Sequence, residues 1–546
     1  MFKSTRRTLY VLIVAGCAGK DGTQSPTGPN TPSGQAATVT LTVDRLDVAA
    51  GATTVATWSS TNATSCEASG GWSGVKATAG TEAVTIANDV SLNLKCTNAA
   101  GSATSSAAIT TIKSTFSLPA GVSKWRPTAG DIDGDGDQEI LLPSIDAAGL
   151  YVATPPTPLF VLGVTSQRVV NKTPTLFPRG APTMYAGRVF FGDFDGNGKT
   201  DVYTCDRGRD VGNTGVGVPD NSPNLVKGNQ VSQNQVFLQG ADGTFTDFTS
   251  VFPQVLQDSW GCSTGDVDKS GRATIVQSTW GAQQGYTAGW TAKWNGTAFV
   301  KTRDLLPQFP NAVMTQTKLW GWSSTADFDK NGYADIMGLN TVIWGDASGG
   351  TMAALAASSM NVAGYTFHRG SAIADFNKDG FPDVAIVSSK QPSSAAGEAR
   401  FVLYQGGATR SLVERAGAFP AVSTYLPSDF GVEIEALDIN FDGFDDIVTF
   451  GHVYSFQGTD REPRAVWINN GNGTFKLQHV SDELEGALNC PASASPLKYS
   501  ESYYLKTKDS QAFHFVIVGC RTENAGASPS YVARRVTPAH PLKFTN

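Results

Sequence analysis

The stretch DIDGDGDQE, Asp131 to Glu139, is the first of six acidic nonapeptides in this 546-residue chain. The others are DFDGNGKTD from Asp193, DVDKSGRAT from Asp266, DFDKNGYAD from Asp327, DFNKDGFPD from Asp375 and DINFDGFDD from Asp438. Oxygen-bearing side chains stand at positions 1, 3, 5 and usually 9, and Gly stands at position 6. Such oxygens on one tight loop can converge on a hard cation, and Ca²⁺, with six to eight oxygen ligands and tolerant geometry, suits them. The Gly permits the sharp turn that brings them together. The candidate ligands are Asp131, Asp133, Asp135 and Glu139; Asp193, Asp195, Asn197 and Asp201; Asp266, Asp268 and Ser270; Asp327, Asp329, Asn331 and Asp335; Asp375, Asn377, Asp379 and Asp383; Asp438, Asn440, Asp442 and Asp446. The 266 loop, with Ser270 and Thr274 at positions 5 and 9, is expected to bind weakest or not at all. The 131 and 327 loops are expected to be filled.

The intervals between copies, 62, 73, 61, 48 and 63 residues, describe a repeat architecture. An apolar run precedes each loop (Val189-Phe190-Phe191, Ala372-Ile373-Ala374) and a β-rich run follows it (Ile140-Leu141-Leu142, Ile447-Val448-Thr449-Phe450). Further on come a strand, a Gly turn and another strand, as in QVFLQGADGTFTDF at 235–248 and AVWINNGNGTFKLQ at 465–478. Strand, acidic loop, strand, strand, Gly-rich hairpin and strand make one four-stranded antiparallel blade. An EF-hand does not fit, because the flanks lack a helical period and no Glu stands at position 12.

The roughly 430 residues from Ser114 onward, at a period near 60, give about seven blades, of which six carry the loop. The tail would build the seventh from Tyr503-Tyr504-Leu505, Phe513 to Val518 and Tyr531-Val532-Ala533, with Ser114 to Leu118 as the strand that closes the ring. These loops and flanks resemble the FG-GAP/VCBS repeat families of integrin-like propellers, over about four-fifths of the chain. The resemblance implies seven or eight blades with calcium in the loops. TWSSTNATSCEASGGWSG followed by LKCTNAAGSATS resembles bacterial immunoglobulin-like domains, which implies a Cys66–Cys96 bridge across the sandwich. The expected fold is therefore all-β, a seven-bladed β-propeller at 114–546 preceded by a small immunoglobulin-like β-sandwich at 38–113. That domain is read as a spacer ahead of a recognition module. Residues 18–37, rich in Gly, Ser, Thr, Pro and Gln, read as a flexible tether.

Lys3, Arg6 and Arg7 precede a short apolar stretch, Leu9 to Ala15, ending at Gly16-Cys17. It is too short to span a bilayer and reads as a signal segment over 1–17. Val14-Ala15-Gly16-Cys17 resembles the bacterial lipoprotein box, the alternative being an ordinary secretory signal. That resemblance implies a lipid on Cys17, and Ala18 after it implies the outer membrane or cell surface. Of seven Cys, six remain to pair in an oxidising compartment, most simply Cys66 with Cys96, Cys205 with Cys262 and Cys490 with Cys520.

The five His are scattered, with no HExxH or GxSxG, so no catalytic residue is assigned. A net charge of −7 without a basic tract argues against nucleic acid as partner. Loops on the face opposite the metal loops carry aromatics beside charge: the 206–233 insertion, Trp280, Tyr286 and Trp290, and His452, Tyr454, Arg461 and Arg464. Inter-blade segments add Tyr185, Trp260, Trp320, Tyr365 and Tyr425. The primary expectation is a surface-anchored, calcium-stabilised module that binds an extracellular glycan or protein. The alternatives are a polysaccharide-degrading lyase or hydrolase and a scaffold component of an envelope complex.

Overall fold

A computed structural model describes residues 34–49, 51–88, 90–112, 122–124, 128–142, 144–146, 157–165, 168–183, 186–206, 232–254, 256–259, 261–282, 289–304, 323–338, 341–348, 351–354, 365–390, 399–420, 433–450, 465–480, 501–508, 513–518, 531–536, 538, 541–542 and 544–545. The proposed signal segment and Cys17, the strand at 114–118, Cys490 and Cys520 lie outside them. The described chain is β almost throughout; its helix is one turn at Thr173–Leu176 and a 3-10 turn at Thr249–Val251. No helix among the described residues is long and apolar enough to cross a membrane. The chain divides into two compact units: the stretch up to Thr42 with 56–82 and 91–107, and 43–55 with 83–90 and 108 onward.

Period-2 alternation organises the first unit. Along Thr53–Thr61 the burial pattern alternates residue by residue, with Ala56 and Trp58 inside. Trp58 and Trp72 meet edge to face with ring centroids 5.3 Å apart. Their indole N–H groups donate to the carbonyls of Ala77 and Asn93, which satisfies the polar end of each buried ring. Cys66 and Cys96 form a disulfide, and they stand opposite one another on adjacent antiparallel strands, Ser65–Gly70 and Val90–Asn98. This corrects the expectation taken from the immunoglobulin resemblance: the bridge joins neighbours within one sheet and does not span two.

Six sheets of the second unit repeat one plan, each an antiparallel meander whose first two strands flank an acidic loop. Those two strands are Thr128–Gly130 and Glu139–Leu142 in sheet one, Ala186–Gly192 and Asp201–Asp206 in sheet two, and Ser263–Gly265 and Thr274–Ala282 in sheet three. They are Ser323–Ala326 and Asp335–Gly338 in sheet four, Tyr365–Ala374 and Asp383–Lys390 in sheet five, and Glu433–Leu437 and Asp446–Phe450 in sheet six. In every case position 9 of the loop opens the second strand and pairs with the residue just before position 1, as Gly192 pairs with Asp201 and Leu437 with Asp446. The nine-residue spacing is thus the hairpin register itself.

The three tail stretches pair as a seventh sheet, Glu501–Lys506, Phe513–Val518 and Tyr531–Val536. The Gln138 amide donates to the Lys506 carbonyl, and one apolar cluster holds Ile140, Leu142, Leu437, Val448, Tyr503 and Leu505. The seventh sheet therefore packs against both the first and the sixth. Phe544–Thr545 extends the sixth sheet beside Phe475–Val480, a strand addition without a sequence signal. Cys205 and Cys262 form the disulfide that neighbouring pairing suggested.

Candidate metal loops and the cavity between the sheets

All six loops share one hydrogen-bond scheme. The position 1 Asp accepts the position 6 Gly amide on one oxygen: Asp131 from Gly136, Asp193 from Gly198, Asp266 from Gly271, Asp327 from Gly332, Asp375 from Gly380 and Asp438 from Gly443. Its other oxygen takes an amide at position 4 or 5, as from Gly134 at 2.8 Å or Asp442 at 3.0 Å. The turn needs left-handed backbone twice. Position 6 is always Gly, but position 4 adopts positive φ even as Lys269, Lys330, Lys378 and Phe441. Position 2 turns inward, and Ile132, Phe194, Phe328, Phe376 and Ile439 are fully buried. Each such anchor stabilises its loop by about 1.5–3 kcal/mol.

Position 9 is the buried heart of the loop. Asp201 accepts the amides of Phe194 and Gln239, both at 2.8 Å, so it clamps the loop to the third strand. Asp335, Asp383 and Asp446 repeat that pair of bonds with Phe328 and Gly345, Phe376 and Gly406, and Ile439 and Asn469. Burial, with repulsion from neighbouring loop carboxylates, pushes Asp201, Asp335 and Asp383 up to about 7 and Asp446 up to about 8, against the pull of those amides. A carboxyl so desolvated needs a compensating positive charge to ionise. Asp131, Asp133 and Glu139, Asp193, Asp195 and Asp201, and Asp327, Asp329 and Asp335 each bring ligand oxygens within 4.8 Å of one another and could hold a metal ion. The donor sets are all oxygen, which fits a hard divalent cation. The 266 loop departs: Thr274 Oγ1 is buried without a hydrogen-bond partner among the described residues.

Two lysines enter these loops, and nothing in the local sequence announces them. Lys172 Nζ donates to Asp133 at 2.7 Å, Asp135 at 3.1 Å and Glu139 at 2.7 Å. Lys293 Nζ donates to Asp268 and, at 2.7 Å, to Ser270.

The first strands of sheets one to six also converge on a cavity of about 280 Å³. Its wall is rich in hydroxyls, and these tie neighbouring sheets together: Ser323 and Thr325 donate to Ser263, and Ser324 bonds Ser371. Arg188, 5% exposed, and Glu435 also line it. Burial pushes the Glu435 carboxyl up to about 7 even with Lys506 nearby. Sequence reasoning passed over both residues, because a lone charge in a β-rich run carries no signal until six strands are brought together.

The expected aromatic binding loops fare differently. Trp290 is fully buried on the strand Gly289–Trp294, packed with Phe252, Phe299 and the Cys205–Cys262 bridge, so it is a core residue and not a ligand contact. Trp280 and Tyr365 stand on strands, Thr274–Ala282 and Tyr365–Ala374. Tyr185, Trp260, Tyr286, Trp320, Tyr425, His452, Tyr454, Arg461, Arg464 and nearly all of 206–233 lie outside the described residues.

No protein family model matches the sequence, and no curated protein matches it. Solved structures do. The exotype rhamnogalacturonan lyase YesX is 12% identical with a TM-score of 0.39, covering 91% of this chain and 90% of its own. A rhamnogalacturonan lyase of Bacillus licheniformis is 13% identical with a TM-score of 0.36, covering 91% and 89%. An α-L-arabinofuranosidase of Clostridium thermocellum is 10% identical with a TM-score of 0.24, covering 69% and 89%. These neighbours are polysaccharide lyases and glycoside hydrolases on propeller-like β scaffolds. At such identities and scores the likeness does not extend to function.

Proposed function

We propose that this chain is a secreted, calcium-stabilised, seven-bladed β-propeller that degrades an acidic polysaccharide by β-elimination. The observation that carries this reading is the cavity where six first strands meet, whose wall holds both Arg188 and Glu435, the latter pushed up to about 7. A carboxyl with a pKa close to the working pH suits a general base. A buried guanidinium suits the carboxylate of a uronic acid. Glycoside hydrolysis generally employs two carboxyl groups, whereas Glu435 is the one acid among the described residues of this wall. The volume lies near the lower end of ligand pockets, about 300 Å³ upward, enough for one sugar ring. The names of the structural neighbours agree with this reading, which was the alternative to adhesion at the sequence level, but they do not argue for it. Calcium would fill acidic loops at the hairpin ends and serve the scaffold. The lipid anchor on Cys17, the outer-membrane or cell-surface location and the spacer domain at 38–113 belong to the same proposal.

The test is the appearance of unsaturated product, followed by its ultraviolet absorbance, when the purified protein meets uronate-rich polysaccharides. Glu435→Gln is expected to abolish it without lowering the melting temperature. Binding of the same polysaccharides without product would instead support the recognition module.

A further inference from the structure

Two of the six loops hold a lysine ammonium among their ligand side chains, whereas Arg410 meets the 327 loop more distantly, 3.6 Å from Asp329. In sheet one, three of the four candidate ligand side chains, Asp133, Asp135 and Glu139, surround the Lys172 ammonium at 2.7–3.1 Å, and Lys172 is only 11% exposed. An ammonium there and a divalent ion cannot share the point on which those oxygens converge. We infer that Lys172 and Lys293 replace the metal in the 131 and 266 loops, leaving four loops of the six to bind a divalent cation.

Three features of the first loop fit the lysine specifically. Its position 9 is Glu, where the other acidic copies have Asp. The extra methylene lets Oε2 keep the Ile132 amide while Oε1 reaches Lys172. Gly163 on the third strand clears the path of the stem: a Cβ there would lie 2.6 Å from Lys172 Cδ and Cε and 2.8 Å from Glu139 Oε1. At positions 1, 3, 5 and 9 the loop also holds four carboxylates, one more than the 193, 327, 375 and 438 loops with their single Asn, and the ammonium offsets the surplus. In sheet three the lysine arrives by another route. Ala292 lies opposite Ile275 just as Leu162 lies opposite Ile140, so Lys293 occupies the place of Gly163. From there it reaches Asp268 and Ser270, in a loop whose ninth residue is the uncharged Thr274. The cap of the helical turn Thr173–Leu176 and the strand Gly289–Trp294 thus deliver the same group to the same point, and on this inference the expectation that the 131 loop is filled gives way to a tethered charge.

The inference rests on the calcium reading of the remaining loops, and the test separates the two. Metal per chain is counted by elemental analysis on the full-length protein dialysed against calcium. Asp195→Asn reports on an ordinary loop and is expected to lower the count by one. Asp133→Asn is expected to leave it unchanged, and Lys172→Ala to raise it by one. An unchanged count in Asp195→Asn would undo the calcium reading of the 193 loop alone. A lower count in Asp133→Asn, or a folded Lys172→Ala that gains nothing, would overturn the lysine replacement. If Lys172→Ala does not fold, the Asp133→Asn count decides by itself.

Discussion

At the scale of single residues, the ninth-position carboxyls make the molecule's pH response readable. Asp201, Asp335, Asp383 and Asp446 are held at about 7 to 8 in the fold, far above a free aspartate near 3.9. Between those limits the folded, metal-free chain binds more protons than the unfolded one, so its stability falls as pH rises. Without metal, the protein is expected to melt higher at pH 5 than at pH 8. With calcium the ionised forms are compensated and the difference should shrink or reverse. Melting curves in chelator and in calcium at both pH values check this; a metal-free melt independent of pH would contradict it. Trp290 supplies a second residue-scale expectation. Fully buried beside Phe252, it should cost about 3–5 kcal/mol when changed to Ala, through lost packing and a cavity. Chemical denaturation measures it, and a loss under about 1 kcal/mol would return Trp290 to the surface role its neighbours Tyr286 and Trp280 first suggested.

At the scale of elements, the hairpins were legible because their signals are local. Position 6 Gly, the flanking apolar runs and the Gly turn at 240–243 each act within a few residues, and they mark where the strands of sheets one to six fall. Position 9 was legible as an acid but not as the clamp it is, since its second bond goes to an amide on the third strand, Gln239 for Asp201. Positive φ at position 4 was illegible for Lys269 or Phe441, residues that give no hint of left-handed backbone. Lys172 was invisible for a different reason: it meets Glu139 across 33 residues, from the junction between the strand Arg168–Asn171 and the helical turn Thr173–Leu176, where the sequence looks ordinary. The Cys66–Cys96 pairing was readable from composition, but a resemblance placed it across a sandwich. Register shows it between neighbouring strands.

At the scale of the molecule, each of the seven sheets shares an apolar cluster with at least one other, and the acidic loops tie strand to strand within six of them. Phe376, Phe475 and Trp467 of sheets five and six sit in one apolar cluster, and Phe328 and Tyr404 of sheets four and five in another. The 375 loop, anchored by Phe376, therefore touches a core that two sheets share. On the proposal made above, the acidic loops hold the fold through bound calcium. The most direct test is the calorimetric melt of the purified chain in EDTA against the same chain in calcium. Each occupied site should contribute about 2.7 kcal/mol at a hundredfold excess over its Kd, so the melting temperature should drop by many degrees in EDTA. Superimposable melts in the two solutions would contradict it.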